Sequence, residues 1–438
     1  LDTAGRMPAA PAVGDGDCRA DYATLAAAAQ GFARMLQARG LRTGDRVAVV
    51  LPNRYEAVVA CYGSWFAGMV VVPLNAQASR RELAAWLAHC EPALVVVEDD
   101  AVEAIAAAGL AGLEGRCIRL PQARDAGWLL PATAAAPTVH AEPAAVALIL
   151  YTSGTTGAPK GVALTHANLR ANVEAVVEDL GLGATDRTVS VLPFYYAYGA
   201  SVLHTHLAAG GCIVLEANLV FPRLVVDALE REGATGFSGV PSTFSLLLDS
   251  GALDGRELPR LRYLTQAGGA MPVALVRRLR AALPDVRLHV MYGQTEATAR
   301  LASVPPARLD DKPGAAGRPL RGVRLEIRDD ADRPLPPGRE GEVWAAGPGV
   351  MHGYWRDPAA TALVLRDGWL RTGDIGHLDG DGYLFLAGRR SDMIKTGAHR
   401  VHPLDVEEAL LEHPGIAEVA VAGVDDATLG QVVKAWVV

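Results

Sequence analysis

Short apolar runs alternate with longer amphipathic segments in the first part of the chain. The runs DRVAVVL (45–51), MVVVPL (69–74) and ALVVVE (93–98) predict strands that are buried on both faces. Between them, residues 54–68 and 79–90 have apolar side chains at helical spacing. This order of strand, helix and strand predicts a parallel sheet that is covered by helices on both faces.

The same alternation returns near residue 189 and predicts a second α/β half. The predicted strands are short apolar segments at 189–193, 212–216, 235–239, 262–266 and 287–291. The predicted helices are the segments near 199–209, 222–232, 241–249 and 272–283. We therefore expect two helix-covered sheets in the larger part of the chain.

From about Gly322 the pattern changes to short segments separated by Gly, Pro and Asp turns. VRLEIRD, GEVWAAG, GWLRTGD and GYLFLAG are typical of antiparallel hairpins, and DGDG (379–382) is typical of a hairpin turn. A helical segment at 403–413 and an apolar strand at 416–424 follow. The fold class is thus α/β, with two sheets and a small β subdomain before an α+β segment.

Composition and charge narrow the possible functions. The chain has 438 residues, of which 50% are hydrophobic, and this is typical of a globular protein with more than one folding unit. A net charge of −8 provides no general attraction for nucleic acid or an anionic membrane. The five cysteines lie far apart, and no apolar run is long enough to span a bilayer. We expect a cytoplasmic protein without a membrane span.

The segment YTSGTTGAPKGV (151–162) has the chemistry of an oxyanion-binding loop. Gly154 and Gly157 allow the backbone amides to turn inward, and Lys160 adds a mobile positive charge. Four hydroxyl side chains can donate hydrogen bonds: Thr152, Ser153, Thr155 and Thr156. Because only two residues separate the glycines, the segment is not the usual NTPase phosphate loop. It predicts a polyphosphate site, and a polar surface loop is the alternative.

This segment resembles the phosphate-binding signature of the acyl-adenylate-forming (AMP-binding) superfamily. That superfamily includes acyl-CoA synthetases, the adenylation domains of peptide synthetases and firefly luciferase. Further signatures follow in the family's order. Gly268, Gly269 and Ala270 in QAGGAMP resemble its adenine-lining turn, and YGQTEAT (292–298) resembles its second nucleotide motif.

The resemblance implies roles for individual residues of these motifs. In YGQTEAT, with Gly293 in its turn, Tyr292 would stack on adenine, Thr295 would donate to the α-phosphate, and Glu296 would hold Mg²⁺. Asp374 in LRTGD would accept hydrogen bonds from both ribose hydroxyls, and Arg389 in GRRSD would also reach the ribose. Thr152, Lys160, Thr295 and Glu296 are therefore the candidate catalytic residues at the phosphates.

The resemblance also implies a domain organisation. Residues 1–387 would form the N-terminal AMP-binding domain, and residues 388–438 would begin a truncated, mobile C-terminal lid domain. The linker would lie near 388–392, with its pivot at Ser391. Rotation there would exchange catalytic faces between two half-reactions, and Lys395 and Arg400 in IKTGAHR would face the nucleotide phosphate in the second arrangement.

The implied chemistry is ATP-dependent activation of a carboxylic acid. The substrate carboxylate attacks the α-phosphorus of ATP, which gives an acyl-adenylate and pyrophosphate. The acyl group then passes to a thiol, either of CoA or of the phosphopantetheine on a carrier protein. ATP and Mg²⁺ are the expected cofactors, and because two anions must approach each other the site has to supply positive charge.

Two positions depart from the family pattern. The family places an adenylation lysine in a Pro-rich GK motif near the end of the small domain, whereas this chain ends at GQVVKAWVV, where Lys434 lies in a strand-like run. Loss of one such charge commonly lowers the rate by about 10² to 10³, so the alternative is a nucleotide-binding module without turnover. Ala398 stands where the family has a glycine beside the thiol tunnel, and its added methyl group would narrow that tunnel.

The acid pocket is predicted from PFYYAYGAS (193–201) and TGFSGV (235–240). Tyr196 takes the family's position at the pocket mouth, and Ala197 follows where amino-acid-activating domains have an aspartate. An α-ammonium group would therefore be buried unpaired. The other predicted lining residues are Tyr195, Tyr198, Phe237, Ser238, Gly239, Val240 and Phe244. We expect an aryl or fatty acid, with an amino acid as the alternative. His204 and His206 should face different sides of a helix and bind no metal.

Overall fold

A computed structural model provides the structure of this chain. It describes residues 2–99, 113–121, 139–152, 159–216, 220–390, 392–396, 399–411, 413, 415–416, 418–426 and 430–438. Within these ranges, no helix is long and apolar enough to cross a membrane.

The strands are numbered in chain order. They are β1 (Pro11–Asp15), β2 (Cys18–Asp21), β3 (Arg46–Val50), β4 (Val70–Pro73), β5 (Leu94–Glu98), β6 (Cys117–Leu120), β7 (Val146–Thr152), β8 (Lys160–Thr165), β9 (Arg187–Ser190), β10 (Cys212–Leu215), β11 (Gly236–Gly239), β12 (Tyr263–Gln266), β13 (Arg287–Tyr292), β14 (Ala302–Val304), β15 (Ala315–Pro319), β16 (Arg324–Arg328), β17 (Gly341–Ala346), β18 (Gly353–Tyr354), β19 (Leu365–Arg366), β20 (Trp369–Leu378), β21 (Leu384–Arg389), β22 (Ile394–Thr396), β23 (His399–Val401), β24 (Val419–Asp426) and β25 (Gly430–Val437).

The helices are numbered in the same way. They are α1 (Asp2–Arg6), α2 (Tyr22–Ala38), α3 (Tyr55–Phe66), α4 (Arg80–Cys90), α5 (His166–Leu180), α6 (Ala197–Ala209), α7 (Pro222–Arg231), α8 (Pro241–Asp249), α9 (Val273–Ala282), α10 (Pro358–Val364) and α11 (Pro403–Leu411).

The first sheet has the strand order β18-β8-β7-β4-β3-β5-β6. Strands β4, β3 and β5 run parallel, as the sequence predicts, and β6, which was not predicted, pairs parallel with β5; β7 and β8 pair antiparallel. Along β3, Val47 and Val49 belong to one core cluster, and Ala48 and Val50 belong to another. Helices therefore cover both faces of this sheet, which explains its unbroken apolar sequence.

The second sheet is continuous with the predicted β subdomain. Strands β1, β10, β9, β11, β12 and β13 are parallel, and β14 and β15 extend this sheet in antiparallel pairing. Strand β15 then pairs with β21, which leads to β20, β17 and β16. A Cβ atom on Gly317 would lie 2.3 Å from the Ser303 carbonyl carbon, so only glycine permits this close approach. The hairpins are thus hydrogen-bonded to the parallel sheet.

Local sequence signals fix several helix starts. Ser79 and Glu82 form a capping box at α4, in which the Glu82 amide donates to Ser79 Oγ at 3.3 Å and the Ser79 amide donates to Glu82 Oε2 at 3.0 Å. Pro222 and Pro241 occupy the first turns of α7 and α8, where a missing amide hydrogen costs nothing. The helices consequently begin close to the residues that the sequence predicts.

The C-terminal part forms a four-stranded antiparallel sheet of order β23-β22-β25-β24, with α11 packed against β24. Lys434 lies in β25 opposite Ala422, which confirms that it belongs to a strand. The DGDG segment is the turn between β20 and β21, and the Asp379 amide donates to the Tyr383 carbonyl at 2.9 Å. The proposed boundary between residues 387 and 388 stays a prediction.

Candidate functional site

The two ends of the predicted phosphate loop face each other across a hairpin. Thr152 ends β7 and is the register partner of Lys160, which begins β8. Ser153, Gly154, Thr155, Thr156 and Gly157 lie outside the described residues. Lys160 Nζ lies 5.5 Å from the centroid of the Tyr354 ring, because β18 pairs with β8. The lysine is therefore fixed at the edge of the first sheet, against an aromatic face.

Tyr354 connects this lysine to the second nucleotide motif. Its hydroxyl donates a hydrogen bond of 2.9 Å to Glu296 Oε1. Burial of the Tyr354 side chain, followed by the Glu296 charge, raises the pKa of Tyr354, so the phenol remains a donor at neutral pH. Lys160, Tyr354 and Glu296 form one contact chain between the two sheets. Sequence analysis missed Tyr354, because it lies outside every recognised motif.

The turn that carries Thr295 and Glu296 is held by backbone contacts. Residues Thr295–Ala297 form one turn of 3₁₀ helix directly after β13, and the Met351 amide donates to the Glu296 carbonyl at 2.8 Å. Thr298 follows in the left-handed region with φ 65°, and its hydroxyl donates to the Gly349 carbonyl at 2.6 Å. Such strained residues persist where surrounding contacts over-determine them, often at functional sites.

Tyr292 and Asp374 meet although 82 residues separate them. The Tyr292 hydroxyl donates to Asp374 Oδ2 at 2.6 Å, and both side chains are buried. Arg389 Nε lies 3.4 Å from the other carboxylate oxygen and remains largely exposed. Burial raises the pKa of Asp374, although the tyrosine hydrogen bond and the arginine charge act in the opposite direction. This cluster brings together three of the predicted nucleotide residues.

The predicted adenine turn lies at the carboxyl end of β12. Gly268 has φ 88°, and a Cβ atom there would lie 3.2 Å from Val240 Cγ1. Gln266 Nε2 donates to the Gly269 carbonyl at 2.8 Å, and Gly268, Gly269 and Ala270 are exposed. Ligands of open α/β sheets bind at the carboxyl ends of parallel strands. The turn is therefore well placed for a ligand that also contacts the end of β11.

The predicted acid-pocket residues divide into an exposed mouth and a buried interior. Tyr196 is 57% exposed, and its ring centroid lies 4.6 Å from that of Tyr195. Ala197 begins α6 and is buried. The Tyr198 hydroxyl donates to the Thr265 carbonyl at 2.8 Å, and Ser238 Oγ lies 2.7 Å from Thr265 Oγ1. The interior is therefore more polar than the sequence predicts.

Phe237 and Phe244 do not join this interior. Both are fully buried and pack edge to face at 6.1 Å in the cluster that contains α7 and α8. Side chains alternate along β11, so Phe237 and Ser238 point to opposite faces of the sheet. The prediction that these phenylalanines line the pocket is therefore wrong. Gly239 and Val240 remain at the end of the strand, beside the Gly268 turn.

Three buried polar residues near the pocket were not predicted. Thr265 is on β12 between Tyr198 and Ser238, Gln266 follows it, and Arg300 lies after the YGQTEAT motif with 2% exposure. A buried arginine is rare unless it is paired. The sequence signal was the polar Thr-Gln pair that ends an otherwise apolar strand, since such side chains must satisfy their hydrogen bonds inside the protein.

The histidine pair has separate partners, as predicted. His204 Nδ1 lies 2.9 Å from the Tyr62 hydroxyl, whereas His206 Nε2 lies 2.7 Å from the Tyr263 hydroxyl. Burial lowers the pKa of each to about 4, so both rings are neutral at physiological pH. Among the described residues, no cluster of three His, Cys, Asp or Glu side chains could hold a metal ion.

Lys395 and Arg400 lie in the C-terminal sheet. Their Cα atoms are register partners in the β22–β23 hairpin. Ser391 and Ala398 lie outside the described residues. The proposed pivot and the proposed obstruction of a thiol tunnel therefore stay predictions.

The described residues fit a magnesium nucleotide. Two buried polar atoms beside the site have no hydrogen-bond partner within the described ranges, namely Gln266 Oε1 and Gln294 Nε2. Such orphaned atoms favour a bound polar ligand. The carboxylate of Glu296 is of the type that Mg²⁺ prefers, and Asp374 offers a buried acceptor suited to hydroxyl groups. Lys160 supplies the positive charge.

Comparison with known proteins gives concordant matches. The family described as AMP-binding enzyme matches residues 2–355, and its C-terminal domain matches residues 405–438. The feruloyl-CoA synthase of Amycolatopsis sp. is 36% identical over 434 residues, which cover 98% of this chain and 86% of that enzyme. The 2-succinylbenzoate–CoA ligase of Bacillus licheniformis is 34% identical over 428 residues, with coverage of 98% and 86%.

Solved structures give the same result. ATP-bound MatB from Rhodopseudomonas palustris superposes with a TM-score of 0.91 at 32% identity, covering 98% of this chain and 85% of that one. The o-succinylbenzoate CoA synthetase of Bacillus subtilis, in complex with its acyl-adenylate intermediate, superposes with a TM-score of 0.87 at 29% identity. That match covers 100% of this chain and 87% of the other.

Proposed function

Because this chain belongs to the AMP-binding enzyme family, we propose that the site described above activates an aryl or fatty acid and transfers it to CoA. The chain is an ATP-dependent, AMP-forming acid–thiol ligase that uses ATP, Mg²⁺ and CoA. Individual residues carry the separate parts of this reaction, and the pocket restricts the class of carboxylic acid that binds.

The observation that carries this assignment is the contact between Tyr292 and Asp374. Two sequence motifs that the resemblance assigns to one nucleoside meet at 2.6 Å in a buried position. In the proposed complex, the Asp374 carboxylate accepts hydrogen bonds from the ribose hydroxyls. Arg389 contacts the ribose from its solvent-exposed side, and the Tyr292 ring contacts adenine. The hydrogen bond from Tyr292 orients the carboxylate.

Lys160, Thr295 and Glu296 act at the phosphates in this proposal. The acid's carboxylate oxygen forms a bond to the α-phosphorus, and the bond to pyrophosphate breaks. Negative charge on the phosphate oxygens requires fixed donors and cations, which the hairpin loop and Lys160 supply. Glu296 would hold Mg²⁺, which supplies further positive charge at the phosphates. Tyr354 keeps Lys160 and Glu296 in fixed relation.

The second half-reaction uses the C-terminal sheet. The thiol sulfur attacks the acyl carbon and its proton passes to solvent, while AMP leaves with the electrons of the broken carbon–oxygen bond. Lys395 and Arg400 are proposed to approach the nucleotide phosphate from the β22–β23 hairpin at this stage. CoA is the acyl acceptor, and the phosphopantetheine of a carrier protein is the other thiol to test.

The residues of the predicted pocket and the substrates named for related ligases together indicate the class of acid. Buried Ala197 offers no carboxylate for an α-ammonium group, so an amino acid is disfavoured. Tyr195 and Tyr198 provide aromatic surface at the mouth and in the interior. The relatives include ligases named for ferulate, 2-succinylbenzoate, indoleacetate and long-chain fatty acids. Together these observations favour aryl acids, followed by fatty acids.

Pyrophosphate exchange into ATP tests this proposal. Aryl acids, medium-chain fatty acids and amino acids are compared at equal concentration, with and without Mg²⁺. We expect exchange with aryl or fatty acids only, and about 10²-fold less with Glu296→Gln. Glu326→Gln, on the remote strand β16, is the matched control and should behave as the unaltered protein. ATP binding without exchange for any acid would overturn the proposal in favour of a nucleotide-binding module.

A further inference from the structure

A buried arginine lies beside the proposed acid pocket without a carboxylate partner. Arg300 is 2% exposed, and none of the described carboxylates forms an ion pair with it. Its Nε and Nη1 atoms have no hydrogen-bond partner in the described part of the chain. A guanidinium group carries its charge at every physiological pH. Arg300 is therefore a desolvated positive charge with unused donors.

Arg300 contacts a side chain that is predicted to line the acid pocket. Its guanidinium carbon lies 5.4 Å from the centroid of the Tyr198 ring. Tyr198 in turn is hydrogen-bonded to Thr265, which also contacts Ser238. Thr265 immediately precedes Gln266 and the exposed Gly268 turn, where the nucleotide is proposed to bind. Arg300 thus lies against the Tyr198 ring, at one side of the proposed pocket.

A second orphaned polar group lies in the same layer. His289 is the register partner of Thr265 in adjacent parallel strands, so their side chains project from the same face. Neither ring nitrogen has a hydrogen-bond partner among the described residues, and only 4% of the side chain is exposed. Burial lowers the pKa of His289 to about 4, and the charges of Arg287 and then Arg300 act in the same direction. The neutral ring retains one N–H donor.

Other groups of the protein compensate the positive charge of Arg300 only in part. Asp179, on α5, is the acidic side chain whose charge acts on Arg300, but the two form no ion pair within 4.0 Å. Burial raises the pKa of Asp179, whereas the Ser303 side chain and the Arg300 charge lower it, so Asp179 and Arg300 interact through space without a direct ion pair. The ring of Tyr198 offers only a cation–π contact. A buried charge without a hydrogen-bonded ionic partner is costly, and a ligand anion would supply that partner.

We propose that Arg300 is a specificity-determining residue that pairs with a second carboxylate of the acyl substrate, so that the preferred acid is a dicarboxylic acid. One carboxylate is activated at the nucleotide, and the other lies at the far end of the pocket in contact with the guanidinium group. His289 can donate a further hydrogen bond to it. This inference rests on the proposed ligase function and narrows its substrate class.

Matched pairs of acids test the inference. Terephthalate is compared with 4-methylbenzoate, and adipate with hexanoate, because each pair differs in the far carboxylate. The measured quantity is kcat/KM for AMP formation. We expect the protein to prefer the better dicarboxylate over its matched monoacid by about 10²-fold or more, because a site built for a polar group discriminates strongly against its absence.

Two variants separate recognition from stability. Arg300→Met removes the charge but keeps an unbranched side chain, and it should lower kcat/KM for dicarboxylates by about 10²-fold while monoacids are retained or improved. Arg262→Met is the matched control. Arg262 also lies over a tyrosine ring, that of Tyr263 at 5.6 Å, but it is ion-paired with Asp186. This control should leave the ratio between dicarboxylate and monoacid unchanged.

The possible outcomes are distinct. A preference of the unaltered protein for both monoacids would overturn the inference, whatever the variants do. Equal losses on both members of a pair in Arg300→Met, with ATP binding intact, would assign Arg300 a structural role only. Failure of every acid to form AMP would instead contradict the proposed ligase function. A preference for dicarboxylates that disappears in Arg300→Met would support the inference.

Discussion

Asp374 shows how single side chains prepare this site for its ligand. Its carboxylate is buried, and it is held between a tyrosine hydroxyl at 2.6 Å and an arginine at 3.4 Å. Burial disfavours the charged form, whereas both neighbours favour it. The carboxylate can therefore accept further hydrogen bonds, at some cost in the stability of the free protein.

We expect Asp374→Asn to weaken ATP binding. Hydrogen bonds from two hydroxyl groups to a carboxylate are stronger than those to an amide, and the loss of about 1.5–3 kcal/mol corresponds to about 10- to 100-fold in the Kd for ATP. Isothermal titration with ATP measures this change. Asp310→Asn provides the control, because Asp310 is 75% exposed on the surface. Unchanged ATP affinity in Asp374→Asn would remove this residue from the nucleotide site.

The same variant should change the dependence of stability on pH. The pKa of Asp374 is raised in the folded protein, so this group retains a proton there at pH values at which the unfolded chain has lost it. Stability of the nucleotide-free protein therefore falls as pH rises from the ordinary aspartate pKa through the raised value. Asp374→Asn should remove this fall and be the more stable protein at neutral pH. Thermal unfolding across this pH range measures the effect.

Sequence analysis found residues that lie in motifs but missed residues that contact them from elsewhere. Lys160, Glu296, Tyr292 and Asp374 were predicted and lie in two contact clusters, although their roles stay predictions. Tyr354 was missed, because its contact with Glu296 spans 58 residues and depends on the β8–β18 pairing. Local patterns contain no information on such pairings, which are set by tertiary structure.

At the scale of elements, predicted helices and strands agree closely with the structure where a segment is strongly periodic. The segment 79–90 is the helix α4, and 287–291 is strand β13 with one further residue. Strand β9 instead occupies Arg187–Ser190 and ends before the predicted limit of 193. The residues beyond it form the loop that leads to α6. Burial in a central strand outweighs the polar character of Thr188 and Ser190.

The turn after β13 gives a prediction at this scale. A Cβ atom on Gly293 would lie 1.9 Å from the Ala299 carbonyl oxygen, a clash with backbone that no side-chain movement relieves. Gly293→Ala should therefore displace the turn that carries Glu296 and destabilise the protein by about 1–3 kcal/mol. Acyl-adenylate formation should fall with it. Gly183→Ala is the control, since a Cβ atom there has no neighbour within 4 Å. Equal stability and activity of the two variants would contradict this account.

At the scale of the whole molecule, two described contacts connect the C-terminal part to the larger part of the chain. His402 Nε2 lies 3.4 Å from Glu340 Oε1, and helix α11 packs against β21. Arg390, at the end of the long hairpin, is bound to Glu342 at 2.8 Å and so belongs to the large part. These features support the proposed linker at 388–392.

A substitution that restricts this linker should slow thioester formation without slowing adenylation. The Asp392 amide donates to the Arg389 carbonyl at 3.1 Å, and proline at this position removes that donor and fixes φ. If rotation near Ser391 precedes thiol transfer, Asp392→Pro should slow thioester formation by about tenfold or more while pyrophosphate exchange continues. Asp392→Ala keeps the amide and should retain both steps. Single-turnover measurements with preformed acyl-adenylate isolate the second step. If Asp392→Pro slowed both steps equally, the linker would support the fold rather than a rotation.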